Sequence, residues 1–479
     1  MSPPKSLRNG LRNTPASAKS GDARSIYSAL MDEPFSLESQ KLSRTYLEQQ
    51  LSRARQLPCD LPLEHTALTQ WIEHEAMAVA ESYASYLAGR KAGQPRRYFT
   101  CRSHALSFLQ RVAPTKLVDG AWLYGVLQHW RDHRFYSLIR TYLEELGDGA
   151  PEQNHVALYQ RLLTEHGCET LHELSDEHYI QGALQLALGH QAEKFMPELI
   201  GYNLGYEQLP LHLPITAFEL NELKIDPYYF TLHVTIDNAS SGHAHKAVQS
   251  VLDTLPVVGG SEAFLERVAS GYRLNQLGLS TTDVIDSFDL ERELVAMLER
   301  KSAFGRHLHS DFCRIAGRTV NEWLAGPEQV HTFLEVLVGR GWIKRHQDPA
   351  HSRFWRMVEG PGARMFGVFS PFEKQLLHDW IAGDGLKDAV GVSASRASSP
   401  GSKIFRRHRT VTTRQQMLNV ERPQTMTGDI DRDMDALTQE LRLLSNAARM
   451  QRLIRLMAPS THATAPGLLA TRLFSAALG

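Results

Sequence analysis

The sequence predicts an all-α fold, and three observations carry that expectation. Over residues 36–320, apolar side chains recur at steps of three and four, the spacing of one helix face, with few alternating β-branched runs. Breaks in this pattern fall at turn chemistry, at GQP (93–95), GDGAP (147–151) and LPLHLP (209–214). A hydrophobic content of 42% over 479 residues suffices to bury a large core beneath such helices.

Residues 1–35 begin polar and basic and lack the apolar stretch of a secretory signal, so they read as a flexible tail on a cytoplasmic protein. Residues 36–320 form the helical core, with amphipathic segments at 40–56, 64–89, 101–112 and 120–146. In the last of these, Phe135, Leu138, Ile139, Tyr142, Glu145 and Leu146 share a face. Glu145 therefore ends an apolar stripe, a costly place for an unpaired carboxylate. Residues 321–385 crowd aromatics and glycines together and suggest a small α/β or helical appendage. Residues 386–428 are a basic Ser/Arg-rich linker. Across 429–479, Ile430, Met434, Leu437, Leu441, Leu444 and Ala448 alternate steps of four and three. That spacing predicts an amphipathic helix of about three heptads, able to dock on the bundle or to pair two chains as a homodimer.

Several function classes fall away on composition. A net charge of −1 argues against nucleic acid, and the cluster Arg406, Arg407, His408 and Arg409 reads as solvated linker. No apolar run approaches the roughly 20 residues that span a bilayer. Cys59, Cys101, Cys168 and Cys313 are far apart and form no CxxC pair, which fits neither a zinc ribbon nor a disulfide framework. Nor is there a GxGxxG, a P-loop or a nucleophile elbow.

Three segments offer metal-ligand chemistry. Residues 226–245, DPYYFTLHVTIDNASSGHAH, place His233, Asp237 and His243 within eleven positions. On a helix, His233 and Asp237 stack one turn apart on one face. Imidazole with carboxylate suits divalent iron or manganese better than a structural zinc, which prefers thiolates. In LEELGDGAPEQNH, Glu145 precedes His155 across a glycine-rich break. On one straight helix the two would lie about 15 Å apart, so the turn must fold them back together. PELIGYNLGYEQLP supplies Glu198 or Glu207. One Glu from that segment completes three carboxylates and three imidazoles, enough for two iron ions with positions left open, as in di-iron helix bundles.

These segments resemble the haem-oxygenase-like diiron oxidases and oxygenases, a group of iron-containing redox enzymes. The pieces that carry the resemblance are GDGAPEQNHVALY, IGYNLGYE and DPYYFTLHVTIDNASSGHA, within roughly residues 100–260. The resemblance implies a haem-oxygenase-like bundle whose ligands are Glu145, His155, Glu207, His233, Asp237 and His243, with Glu198 structural or supporting. It further implies two Fe(II) per chain, O2 as co-substrate, an external reductant and an amino-acid-derived or fatty-acyl substrate. The implied outcomes are N-oxygenation, C–H hydroxylation, desaturation or C–C cleavage, commonly in specialised-metabolite biosynthesis. One departure stands out. Many members carry the last His three residues after the Asp, but position 240 is Ser, and His243 follows Asp237 by six. A break near Gly242 would restore His243 to the centre, with His245 as the alternative. The competing class is a metal-independent, thiaminase-like enzyme or a small-molecule binder on the same scaffold. Haem oxygenase chemistry itself needs an axial His but no set of acids.

Overall fold

A computed structural model describes residues 22–62, 64–169, 174–360, 362–383 and 435–478. The described chain is mainly helical. Fourteen α-helices run from the N-terminal side: α1 (Ala23–Asp32), α2 (Leu37–Ala54), α3 (Leu68–Lys91), α4 (Arg102–Lys116), α5 (Tyr136–Glu145), α6 (His155–His166) and α7 (Ile180–His190), then α8 (Ala192–Tyr206), α9 (His212–Glu222), α10 (Tyr228–Ile236), α11 (His243–Thr254), α12 (Ser261–Arg273), α13 (Thr281–Asp286) and α14 (Leu290–Gly305). The segment between α4 and α5 is not one helix but two 3-10 turns, Ala121–His129 and His133–Phe135.

A minimal antiparallel hairpin precedes the appendage, whose described secondary structure is helical. In that hairpin β1 (Arg314–Ile315) pairs with β2 (Arg318–Thr319). Then follow α15 (Val320–Trp323), α16 (Val330–Gly339), α17 (Arg353–Val358) and α18 (Pro371–Ala382). α18 packs on α4 and α14, so the appendage shares apolar packing with the main bundle.

Two apolar clusters organise the bundle. One gathers α1, α2, α5, α7, α8, α11 and α12; the other joins α4, α6, α9 and α10 to the appendage. The closest crossing is α8 on α12. A Cβ on Gly201 would overlap the Val268 carbonyl, and one on Gly271 would overlap that of Glu198, so two glycines set how near the helices approach.

Two expectations need correction. Residues 23–32, read as tail, form α1, because Ala23, Ile26 and Leu30 line one buried face and the Asp22 carboxylate caps the helix at Ser25 N–H. The long terminal amphipathic helix is also divided. Residues 435–443 are helical and bury Leu437 and Leu441, but the Ser445 hydroxyl caps a separate helix, Asn446–Leu456, which is followed by Ala465–Leu478. These helices pack on the bundle. Residues 1–21, the proposed linker 386–428, Ile430 and Met434 lie outside the described residues. No described helix is long and apolar enough to cross a membrane.

Candidate metal centre

The centre forms where the two apolar clusters meet. α5 delivers Glu145 at its last residue, and the chain then reverses through three left-handed residues: Gly147 (φ 62°), Asp148 (φ 49°) and Gly149 (φ 83°). Asn154 ends the reversal. Its side-chain oxygen accepts from Ala157 N–H at 3.0 Å, and its amide donates to the Leu146 carbonyl at 3.3 Å. His155 is thereby the first residue of α6, and its Nδ1 lies 2.6 Å from Glu145 Oε2. The fold-back expected from the glycines is present.

α8 ends at Tyr206, and Glu207 caps it, its N–H donating to the Asn203 carbonyl at 3.0 Å. His233 occupies the last turn of α10, and Asp237 caps it through an N–H bond to the His233 carbonyl at 3.0 Å. The chain then breaks as the six-residue spacing requires. The side-chain oxygen of Asn238 accepts from the N–H groups of Ser240, Ser241 and Gly242 at 3.2, 2.9 and 3.1 Å. α11 restarts at His243. Gly242 is required here, since a Cβ would overlap the Ile236 carbonyl. His243 Nδ1 reaches Glu207 Oε2 at 3.1 Å, Glu145 Oε1 at 3.3 Å and Asp237 Oδ1 at 3.4 Å. His245, the alternative, points to solvent.

All six sequence-derived residues are therefore buried together, and the structure adds a seventh, Asp119. Its carboxylate lies 3.2 Å from His233 Nε2 and 4.0 Å from His155 Nδ1, and accepts hydrogen bonds from the Tyr206 and Tyr229 hydroxyls. The available signal was a lone acid, LVDGAW, set between apolar residues at a glycine turn after α4. Two groups result: Asp119, Glu145, His155 and His233 in one, Glu145, Glu207 and His243 in the other, with potential ligand atoms within 4.8 Å in each. Glu145 belongs to both.

Glu198 stands apart, paired with Arg267 at 2.6 Å on the α8–α12 face. The groups that orient the imidazoles are others. His233 Nδ1 faces the Tyr229 carbonyl at 2.8 Å, and His243 Nε2 faces Glu144 at 2.9 Å.

Electrostatics and unmet hydrogen bonding both fit metal ions. Glu145 Oε2, His155 Nδ1, Glu207 Oε1 and Asp237 Oδ1 are buried without a hydrogen-bond partner, although the first two are only 2.6 Å apart. Such orphaned lone pairs are expensive unless a cation meets them. Burial raises the Glu207 carboxyl to about 7. Burial opposes charge on His233, but the Asp119 bond and charge outweigh it and hold the imidazole up at about 9. Asp119 is itself held down at about 2 by Lys116 and His233 despite burial. Four buried carboxylates with three neutral imidazoles would carry about four negative charges, matched by two divalent cations.

A cavity of about 550 Å³ opens onto Glu145, Glu207, His233 and Asp237. Ile72, Val79, Val112 and Leu213 supply apolar wall, while Lys116 and Gln181 supply polar groups.

The C-terminal helices brace the Glu145–His155 turn from outside. His462 Nδ1 lies 3.1 Å from the Asn154 amide, the Tyr142 hydroxyl donates to the Met457 carbonyl at 2.6 Å, and the Ser475 hydroxyl donates to Asp148 at 3.0 Å.

No curated protein and no solved structure matches the chain. The stretch that supplies every residue of the centre does match a family model: residues 106–276 of this all-α chain are similar to a haem-oxygenase-like family described as iron-containing redox enzyme.

Proposed function

We propose that the chain is a non-haem diiron oxygenase or oxidase that uses O2 to oxidise a small metabolite. The observation that carries this reading is the burial of Asp119, Glu145, Glu207 and Asp237 around His155, His233 and His243, with ligand atoms left unmet. Glu145 would be shared. Asp119, His155 and His233 would hold one ion, and Glu207, Asp237 and His243 the other. Bound iron supplies the electrons and the open positions for O2 chemistry.

The protein's own contributions follow from its contacts. The Tyr229 carbonyl and the Glu144 carboxylate fix the ring orientations of His233 and His243. The phenols of Tyr206 and Tyr229 keep two protons against Asp119 at the edge of the centre. The apolar side of the cavity holds substrate carbon against Glu207 and His233 and keeps water out. A substrate with an amino-acid or acyl skeleton fits a cavity of about 550 Å³, and the reading places the enzyme in specialised-metabolite biosynthesis.

The test is anaerobic Fe(II) titration of the metal-free protein, followed by rapid mixing with O2 under visible spectroscopy, with and without candidate substrates. The reading expects about two irons per chain and an O2-dependent optical transient. Absence of tight iron binding, with zinc, manganese and haem also tried, would instead favour a metal-independent scaffold.

A further inference from the structure

A second cavity, of about 570 Å³, lies in the C-terminal part of the fold and shares no lining residue with the metal-facing one. It sits among α14, the β1–β2 hairpin, α16, α17 and the segment before α18. Leu298, Phe333, Leu337, Trp342, Phe354 and Phe369 make most of its apolar wall. Its size is within the roughly 300–1,000 Å³ of small-molecule sites. It also lies beyond residues 106–276, so the family match assigns it nothing.

The chemistry of the lining narrows the ligand. No Asp or Glu lines the cavity, whereas Lys301 and Arg364 do. Lys301 is already committed: its ammonium donates to the Val368 carbonyl at 2.8 Å and pairs with Glu373 at 2.9 Å. The Ser302 hydroxyl is likewise spent on the Glu299 carbonyl at 2.7 Å. Arg364 is exposed and makes no ion pair with another described residue. His309 and Cys313 are the remaining polar lining residues, the rest of the wall is apolar, and Arg364 offers an uncommitted cation. Among the lining residues, Phe304 and Leu308 are 80% and 78% exposed, an apolar rim of the kind that marks a binding surface.

We propose that this cavity binds a long-chain carboxylate, with its hydrocarbon chain between the aromatic walls and its head group on Arg364. The planar guanidinium suits bidentate pairing with a carboxylate. The chain would cover the rim that is otherwise left to water.

The experiment titrates hexadecanoate, and hexadecanol as the neutral control, into the full-length protein by calorimetry and by Trp emission. Saturable binding of about one hexadecanoate per chain is expected. Arg364→Glu should weaken hexadecanoate by about tenfold or more and leave hexadecanol unchanged, the loss of one charge-assisted pair. Leu337→Trp should fill the cavity and abolish both. If Leu337→Trp fails to fold, the surface variant Arg364→Glu still decides the matter. No saturable binding, or binding that Arg364→Glu leaves unchanged, overturns the proposal. A dimer that Phe304→Ser dissolves, with no hexadecanoate bound, would assign the rim to a second copy and overturn it as well. None of these variants touches the proposed iron centre, so iron stoichiometry measured in parallel separates this site from the proposed activity.

Discussion

Gly242→Ala should empty one half of the metal centre and spare the other. A Cβ at 242 would stand 2.6 Å from both the backbone and side-chain nitrogens of Asn238, besides overlapping the Ile236 carbonyl. Ordinary contact needs about 3.5 Å and the Ile236 oxygen would stand at 2.0 Å, so the turn must open by about 1.5 Å. The next residue is His243, whose Nδ1 sits 3.1 Å from Glu207 and 3.3 Å from Glu145. A metal site tolerates roughly 0.5 Å of such movement. Affinity at the Glu207–His243 position should fall about 10–100-fold, on the scale seen when ligand orientation is disturbed. The group formed by Asp119, Glu145, His155 and His233 does not pass through that turn and should keep its ion. Anaerobic Co(II) titration, read by d–d absorption with circular dichroism alongside, resolves the two steps. Two wild-type steps in a folded variant would refute the argument that Gly242 positions His243. Loss of both steps with the helices intact would refute the separability of the halves.

Glu145→Gln should lower metal stoichiometry at both positions, because that carboxylate belongs to both groups; inductively coupled plasma analysis of the reconstituted variant measures it. Glu198→Gln should leave stoichiometry unchanged and lower the melting temperature, since its partner is Arg267 rather than the centre; an iron count and a thermal melt on one sample distinguish these. Metal binding should release protons, and affinity should rise with pH toward about 9, where the His233 imidazolium gives up its proton. In the metal-free protein the sign is opposite for stability. The folded pKa is raised above the unfolded value of about 6.5, so His233's contribution is complete below that pH and is lost as pH rises through about 9. Dye-monitored proton release during metal addition and a pH series of melts check the two halves of this statement.

Much of the centre was legible because its local chemistry announces the turns. Gly147 and Gly149 flank the reversal that joins Glu145 to His155, and Gly242 marks the break that returns His243. Asp119 was not legible in that way. Its place depends on the end of α4 meeting α10 and the Tyr206 hydroxyl, contacts 87 and 114 residues away in sequence. Glu198 and Glu207 share a helix and a similar neighbourhood, and Arg267, 69 residues on, separates their roles. α1 was missed because the polar, proline-bearing stretch before it set the reading of the first 35 residues, although Ala23, Ile26 and Leu30 already held helical spacing. The helix read across 430–448 was interrupted by a single capping serine, Ser445, a residue equally at home in an exposed helix face.

The brace on the Glu145–His155 turn bears on when the candidate centre can form. His462, Met457 and Ser475 reach back more than 300 residues to Asn154, Tyr142 and Asp148. A nascent chain on the ribosome can carry every residue of the centre through His243 and still lack the contacts that hold α5 and α6 in place. On the proposed reading, metal loading would therefore wait until residues 457–475 have emerged from the exit tunnel and docked. That order would spare an emerging polypeptide a proposed iron site whose walls are not yet closed.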